Sequence, residues 1–389
     1  MGGDNNQEHE FSNEDLQRCN LERKQRGGVN PDVQMSGENM NKKLALFLAG
    51  MMMLALLAGC GSPAPEAPAE EPEAPAEEPV EEPAETDELA QDYDDQFLSI
   101  ATGGTGGTYF PLGGALASIF NNNVPGVTAN AESTGASVAN IDLVSQGESE
   151  LAFIQNDITY YAYTGTEMFA DRPAAIENIR GMAVLYPEII QIVAAADSGI
   201  SSVEDLAGKN VAIGAPGSGT EANARQILEI HGLSYDDLGK ADFLSFAEAA
   251  DQLKNKQIDA AFVTAGIPTA AITEVATTSD IIIVPFDSAK IAELASAYPF
   301  YVEVTIPGGT YPGNDGDIIT TAVQAMLVVP EDLPEGLVYN MTRAIFENRQ
   351  AIIDTHDRGN DITLDTALSG MPIELHPGAA RYYQEMGVN

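Results

Sequence analysis

The chain has 389 residues, 44% of them hydrophobic, which is enough to bury a large core and to build more than one lobe. A formal charge of −41 and an isoelectric point near 4.1 argue against nucleic acid or an anionic membrane surface as a partner. Of its two cysteines, Cys19 lies in the leader and Cys60 at a processing motif, so the mature chain carries no disulfide.

Residues 1–39 are polar and without hydrophobic periodicity; they read as an upstream start-site artefact or a disordered leader. Residues 40–59 form a signal peptide: Met40-Asn41-Lys42-Lys43 is basic, Leu44 to Leu57 is apolar, and the run closes on Leu57-Ala58-Gly59-Cys60. The run is 14 residues, short for a bilayer span and right for a signal h-region. The closing motif resembles a bacterial lipobox, which implies a true start at Met40 and a lipid on Cys60. Residues 60–96 are then the anchor and a linker. From residue 61 on, that linker holds fourteen Asp and Glu and no Lys or Arg in Pro/Glu/Ala repeats, an extended, self-repelling tether.

The folded part opens with Phe97-Leu98-Ser99-Ile100, a strand, and runs into Thr102-Gly103-Gly104-Thr105-Gly106-Gly107-Thr108-Tyr109. Leu112, Leu116, Ile119 and Phe120 follow at helical spacing. A glycine-rich turn between strand and helix presents backbone N–H groups, reinforced by the helix dipole, to an anion. Taken alone, the turn also fits a tight connection without a ligand. Its spacing is neither the dinucleotide fingerprint nor a P-loop.

The device recurs. Val124 to Ala131 reads as a strand before Glu132-Ser133-Thr134-Gly135-Ala136-Ser137, with Ser133 or Ser137 as helix cap. Leu151 to Ile154 is a buried-type strand before Gln155-Asn156-Asp157. Tyr160, Tyr161 and Tyr163 fit core or cleft wall. Gly181 to Ala196 is one long apolar strand bent at Pro187, able to leave a first lobe and enter a second. Ser202 to Lys209 reads as a short capped helix and Asn210 to Ile213 as a strand. A second glycine turn, Gly217-Ser218-Gly219-Thr220, opens a helix to about His231. Asp242–Phe246, Ile258–Thr264 and Ile281–Val284 read as further strands. Phe300–Ile306 reads as the strand returning to the first lobe, Ile318–Val329 as more sheet and Leu337–Ile353 as one helix. Strand alternating with helix predicts a mainly parallel sheet with helices on both faces.

Five of these segments resemble the TAXI family, the solute receptors of TRAP transporters: 102–117, 132–141, 150–157, 202–224 and 261–268, in the family's order. The resemblance covers nearly all of residues 97–389. It implies an α/β, type II periplasmic-binding-protein-like fold of two α/β lobes joined by a hinge, with the ligand cleft between them. The lobes are 97–187 (first), 188–300 (second) and 301–389 (return to the first). It further implies an extracytoplasmic receptor, lipid-anchored at the outer face of the cell membrane. Such a receptor, a monomer, captures glutamate, glutamine, 2-oxoglutarate or another small carboxylate for an ion-gradient-driven TRAP permease. The site it implies is Thr105, Gly106, Thr108, Tyr109, Ser137, Gln155 and Asp157 on one lobe. Tyr186, Ser218, Gly219, Thr220 and Thr264 lie near or on the other.

Backbone N–H groups and hydroxyls can hold a carboxylate without an arginine. Asp157 or Glu132 suits an ammonium group or, equally, a helix cap or surface position, and Arg225 suits a surface or interlobe ion pair. No catalytic set stands against this reading. His231, His356 and His376 lack metal spacing, no G-x-S-x-G follows a strand, and the folded part has no cysteine nucleophile. No metal, cofactor or nucleic acid is expected. A receptor for phosphate or sulfonate, or one feeding a sensor, is the alternative.

Overall fold

The computed structural model describes residues 93–388. The signal run, Cys60 and nearly all of the acidic linker lie outside those residues. Ten strands form one mixed sheet: β1 Gln96–Ala101, β2 Val127–Glu132, β3 Leu151–Gln155, β4 Ile179–Ala195, β5 Asn210–Ala212, β6 Lys240–Asp242, β7 Ala260–Ala265, β8 Ile281–Ile283, β9 Val302–Ile306 and β10 Ile318–Pro330. The order is β2-β1-β3-β10-β4-β7-β5-β6, with β8 on β4 and β9 on β10.

The two long strands join two α/β halves. The first half of β4 pairs antiparallel with β10, which also borders β3, while Ile189 to Ala194 of β4 pair with β7. Passage from one half to the other falls at Pro187, opposite Gln324 and beside a register shift in β10. A proline there donates no ladder hydrogen bond, so the ladder is locally weakened where the chain changes lobe.

Helices cover both faces of each half. In the first lobe α1 (Tyr109–Asn123) packs on one face, with α8 (Glu335–Glu347), α9 (Arg349–Thr355) and α10 (Pro377–Glu385). On the other face are α2 (Ser137–Ser145) and α3 (Asn156–Thr164). In the second lobe α4 (Gly219–Ile230) and α7 (Ser288–Ala297) lie on one face, α5 (Phe246–Lys254) and α6 (Ala270–Thr278) on the other. The apolar stripe of α1 sets its orientation: Leu112, Leu116, Ile119 and Phe120 are buried, while Ser118 and the Asn121–Asn123 run face solvent. All five residues of β3 are buried, as a strand covered on both faces requires. Among the described residues no helix is long and apolar enough to cross a membrane.

Four expectations need correction. The sheet is not mainly parallel: β1, β2 and β3 run parallel, as do β5, β6 and β7, but every pairing of the two connecting strands is antiparallel. The second connection is β10 rather than Phe300–Ile306, because β9 pairs with the early part of β10, at Ile318 to Ala322. The strand expected at Asp242–Phe246 ends at Asp242. Ser245 and Glu248 close a reciprocal capping box that starts α5 at Phe246. The helix expected over Leu337–Ile353 is two, broken at Asn348, whose side chain caps the Ala344 carbonyl.

Candidate functional site

Loops from the C-terminal ends of parallel strands converge between the lobes, where α/β sheets form binding crevices. They enclose a cavity of about 70 Å³, room for about five waters or one small solute. The first lobe contributes Gly103, Gly104 and Gly107–Tyr109 after β1, Thr134–Ser137 after β2 and Gln155 at the end of β3. The second lobe contributes Ala215 and Ser218–Thr220 after β5, Ser245 and Phe246 after β6, and Thr264 and Ala265 at the end of β7. Glu188 enters from β4.

The lobes touch through directed bonds. Thr108 Oγ1 donates to the Gly266 carbonyl at 3.2 Å, and Ala271 N donates to the Gly106 carbonyl at 3.1 Å. The N–H groups of Val138 and Ala139, in the first turn of α2, both donate to the Gly217 carbonyl. Behind the cavity, Gln155 Nε2 donates to Asn223 Oδ1 at 3.1 Å, and Asn223 Nδ2 donates to Asp157 Oδ2 at 3.0 Å and to Tyr301 at 2.8 Å. Gln226 extends this network, accepting from Tyr301 and donating to Tyr161. Arg225 pairs with Glu167 at 3.3 Å across the lobes.

The α4 N-terminus faces the cavity. Ser218 caps it by accepting from Glu221 N at 3.2 Å, which leaves the Gly219 and Thr220 N–H groups without an intrahelical acceptor. A Cβ on Gly219 would stand 1.9 Å from Gln155 Oε1, so only glycine allows that approach. Across from it, Ala136 holds φ 70 and ψ −149, a region nearly confined to glycine. Such strain costs about 1–3 kcal/mol and collects at functional sites.

Polar atoms without partners point into the same space. Gln155 Oε1 and Thr264 Oγ1 are buried and accept or donate nothing, and both residues line the cavity. Buried groups of this kind normally have a partner, and both stand where a polar atom inside the cavity can reach them. Glu188, 2% exposed, accepts from the Tyr109 hydroxyl at 2.7 Å. Burial pushes its carboxyl up to about 8, against the Tyr109 bond, which favours the charged form. Burial likewise raises Asp157 to about 7, against hydrogen bonds from the Ile158 backbone and Asn223.

Of the residues expected from the sequence, Thr108, Tyr109, Ser137, Gln155, Ser218, Gly219, Thr220 and Thr264 lie in the cavity wall. Four stand apart from it. Thr105 is exposed at the tip of its turn, and Gly106 is spent on the Ala271 bond. Asp157 sits one layer back on Asn223, and Tyr186 is buried with an unpartnered hydroxyl. Glu132 is exposed, and its carbonyl is taken by Thr102. Ser137 is the first residue of α2 rather than its cap; that place belongs to Ala136. Ser245, Phe246 and Glu188 went unforeseen. The first two carry a legible signal, the S-x-x-E capping box. Glu188 is the lone acid in a mostly apolar strand.

Residues 100–387 match the NMT1-like family. The chain belongs to it. Among solved structures this NMT1-like chain is similar to the alkanesulfonate-binding protein SsuA of Xanthomonas axonopodis pv. citri, bound to MOPS. Identity there is 13%, coverage is 75% of this chain and 84% of that one, and the TM-score is 0.41. The periplasmic aliphatic sulphonate binding protein SsuA of Escherichia coli matches at 15% identity, 75% and 83% coverage and a TM-score of 0.41. A binding protein component of an ABC phosphonate transporter from Pseudomonas aeruginosa matches at 13%, 69% and 80%, and 0.42. Among the described residues no group of three or more His, Cys, Asp or Glu could hold a metal ion.

Proposed function

We propose that this NMT1-like chain is an extracytoplasmic solute-binding receptor. It captures a small carboxylate, of the glutamate, glutamine or 2-oxoglutarate kind, between its lobes and delivers it to a TRAP permease of the TAXI type. One observation carries the reading. A solute-sized, partly open cavity is walled by the turns of both lobes and contains orphaned polar atoms and a helix N-terminus but no Lys, Arg or His. The helix N–H groups supply the positive potential for a carboxylate.

A thermal-shift screen over amino acids, dicarboxylates, phosphate and alkanesulfonates tests it, since a bound solute raises apparent stability. The reading expects small carboxylates to raise the melting temperature, with or without EDTA. Stabilisation by phosphate or sulfonate alone would favour the oxyanion receptor, and stabilisation lost on chelation would require a metal.

Anchoring belongs to the same proposal. With Cys60 lipidated, the tether of residues 61–96 would carry the receptor away from the outer face of the cell membrane. Cys60→Ala is expected to move the protein from the membrane fraction to the soluble fraction of an expressing bacterium. An unmodified Cys60 in the intact mass of membrane-bound protein would contradict the anchor.

A further inference from the structure

The wall of the cavity is electrically lopsided. At the α4 end stand the Gly219 and Thr220 N–H groups with the Ser218 and Thr220 hydroxyls, a lining for a carboxylate. Gln155 Oε1 and Thr264 Oγ1, both nearly fully buried, are aimed into the same space without partners. On the connecting strand stands Glu188, the one charged side chain among the lining residues. Its partners are neutral: the Tyr109 hydroxyl at 2.7 Å, and the Gln155 amide, which also favours the charged form. A carboxyl so placed has no cation from the protein, although a buried carboxylate needs one.

We infer that Glu188 receives an ammonium group of the solute, so that the site selects a 2-amino acid over the 2-oxo acid of the same carbon skeleton. The inference rests on the carboxylate-receptor reading above and narrows it. The carboxylate end would lie at α4 and the ammonium at Glu188. Tyr109 of the first lobe donates to Glu188, so the ammonium end of the site is completed by a first-lobe side chain. A proton accompanies the capture. Before binding, burial favours the protonated acid, and Asp157 from α3 adds a second raised acid nearby. Tyr109 from α1 and Tyr186 from β4 also face Glu188, both held neutral by burial, and Arg358 acts on Tyr186. An arriving ammonium favours the carboxylate, so Glu188 gives its proton to solvent.

The test is calorimetry on wild type and Glu188→Gln with amino/oxo pairs: L-glutamate and 2-oxoglutarate, L-alanine and pyruvate, L-leucine and 4-methyl-2-oxopentanoate. Gln keeps an acceptor for Tyr109, and an unchanged unfolding transition confirms that the variant folds. Wild type is expected to prefer the amino member of whichever pair binds. Glu188→Gln should weaken that amino acid by about 30-fold or more, as for loss of one partner of a buried charge pair, while changing its oxo partner little. At pH 7, titration in buffers of different ionisation enthalpy should register a proton released by wild type and none by the variant. An oxo acid bound as tightly as its amino partner, or amino-acid affinity unchanged in Glu188→Gln, overturns the inference and leaves the carboxylate reading standing. If no member of any pair binds, both fall.

Discussion

Gly219→Val is expected to weaken solute capture by about two orders of magnitude while leaving both lobes folded. The glycine opens α4 where that helix meets Gln155, and even a methyl group would overlap the Gln155 amide, at 1.9 Å. Gln155 cannot swing aside freely. It is 2% exposed, and its Nε2 is committed to Asn223 of the second lobe. Two branches of valine therefore meet either the interlobe network or the space the solute needs. We expect affinity for the captured solute to fall by about 100-fold, on the order of 3 kcal/mol. The turn sits on the cleft surface of its own lobe, so the thermal transition of the free protein should move little. Thr220→Ala removes one hydroxyl and should cost only about 1 kcal/mol of binding. Full affinity in Gly219→Val, measured by calorimetry, would mean that the solute lies elsewhere.

The second large effect is on stability against pH. Asp157 and Glu188 hold their protons to about 7 and about 8 in the folded chain, far above their ordinary values. Between about pH 4 and 8 the unfolded chain has released protons that the folded chain keeps. Stability due to these two groups is therefore greatest at the acidic end of that window and declines as pH rises through it. Asp157→Asn keeps an acceptor for Asn223 and removes one titration, and should take away about 3 kcal/mol of the decline between pH 5 and pH 8. Urea unfolding at pH 5 and pH 8, on wild type and variant, reads this directly. Other groups bend the wild-type curve. His356 and His376 are lowered by burial and act in the opposite sense, as do Asp205, Asp237 and Glu248, which hydrogen bonds hold below their ordinary values. The difference between wild type and Asp157→Asn reads Asp157 together with its repulsion of Glu188. Equal slopes for the two proteins would mean that Asp157 is ionised in the fold.

The candidate site was largely legible because each turn announces itself locally. A short buried strand, a run of Gly, Ser and Thr, and a helix period can be read at Thr102–Tyr109, Thr134–Ser137 and Gly217–Thr220 without knowing where they meet. What could not be read depends on direction and partner. Phe300–Ile306 and Ile318–Val329 are both apolar runs, and nothing in either says that the later one crosses between lobes and the earlier one lies against it. The antiparallel sense of β4 and β10 is likewise invisible to periodicity, which reports a strand but not its neighbour. Phe243, Leu244 and Phe246 suggested a strand, and the capping box of Ser245 and Glu248 overrode them. Glu188 was hidden for a different reason: an acid in an apolar strand is functional only if its pleat faces a cavity, and that is a property of the assembled sheet. Asp157 and Tyr186 follow the same rule from the other side, since one layer of packing separates them from the cavity wall.

The central claim is that a small solute is held between two lobes that must come together around it. Bonds such as those from Val138 and Ala139 to the Gly217 carbonyl can exist only in the closed form. A solute touching both lobes favours that form by its differential affinity for it. Small-angle scattering of the full chain, with and without a saturating amount of the solute found by the thermal-shift screen, tests this most directly. The account predicts a smaller radius of gyration in the presence of solute and no change in Gly219→Val. A radius unchanged in wild type at saturation would contradict closure around the solute.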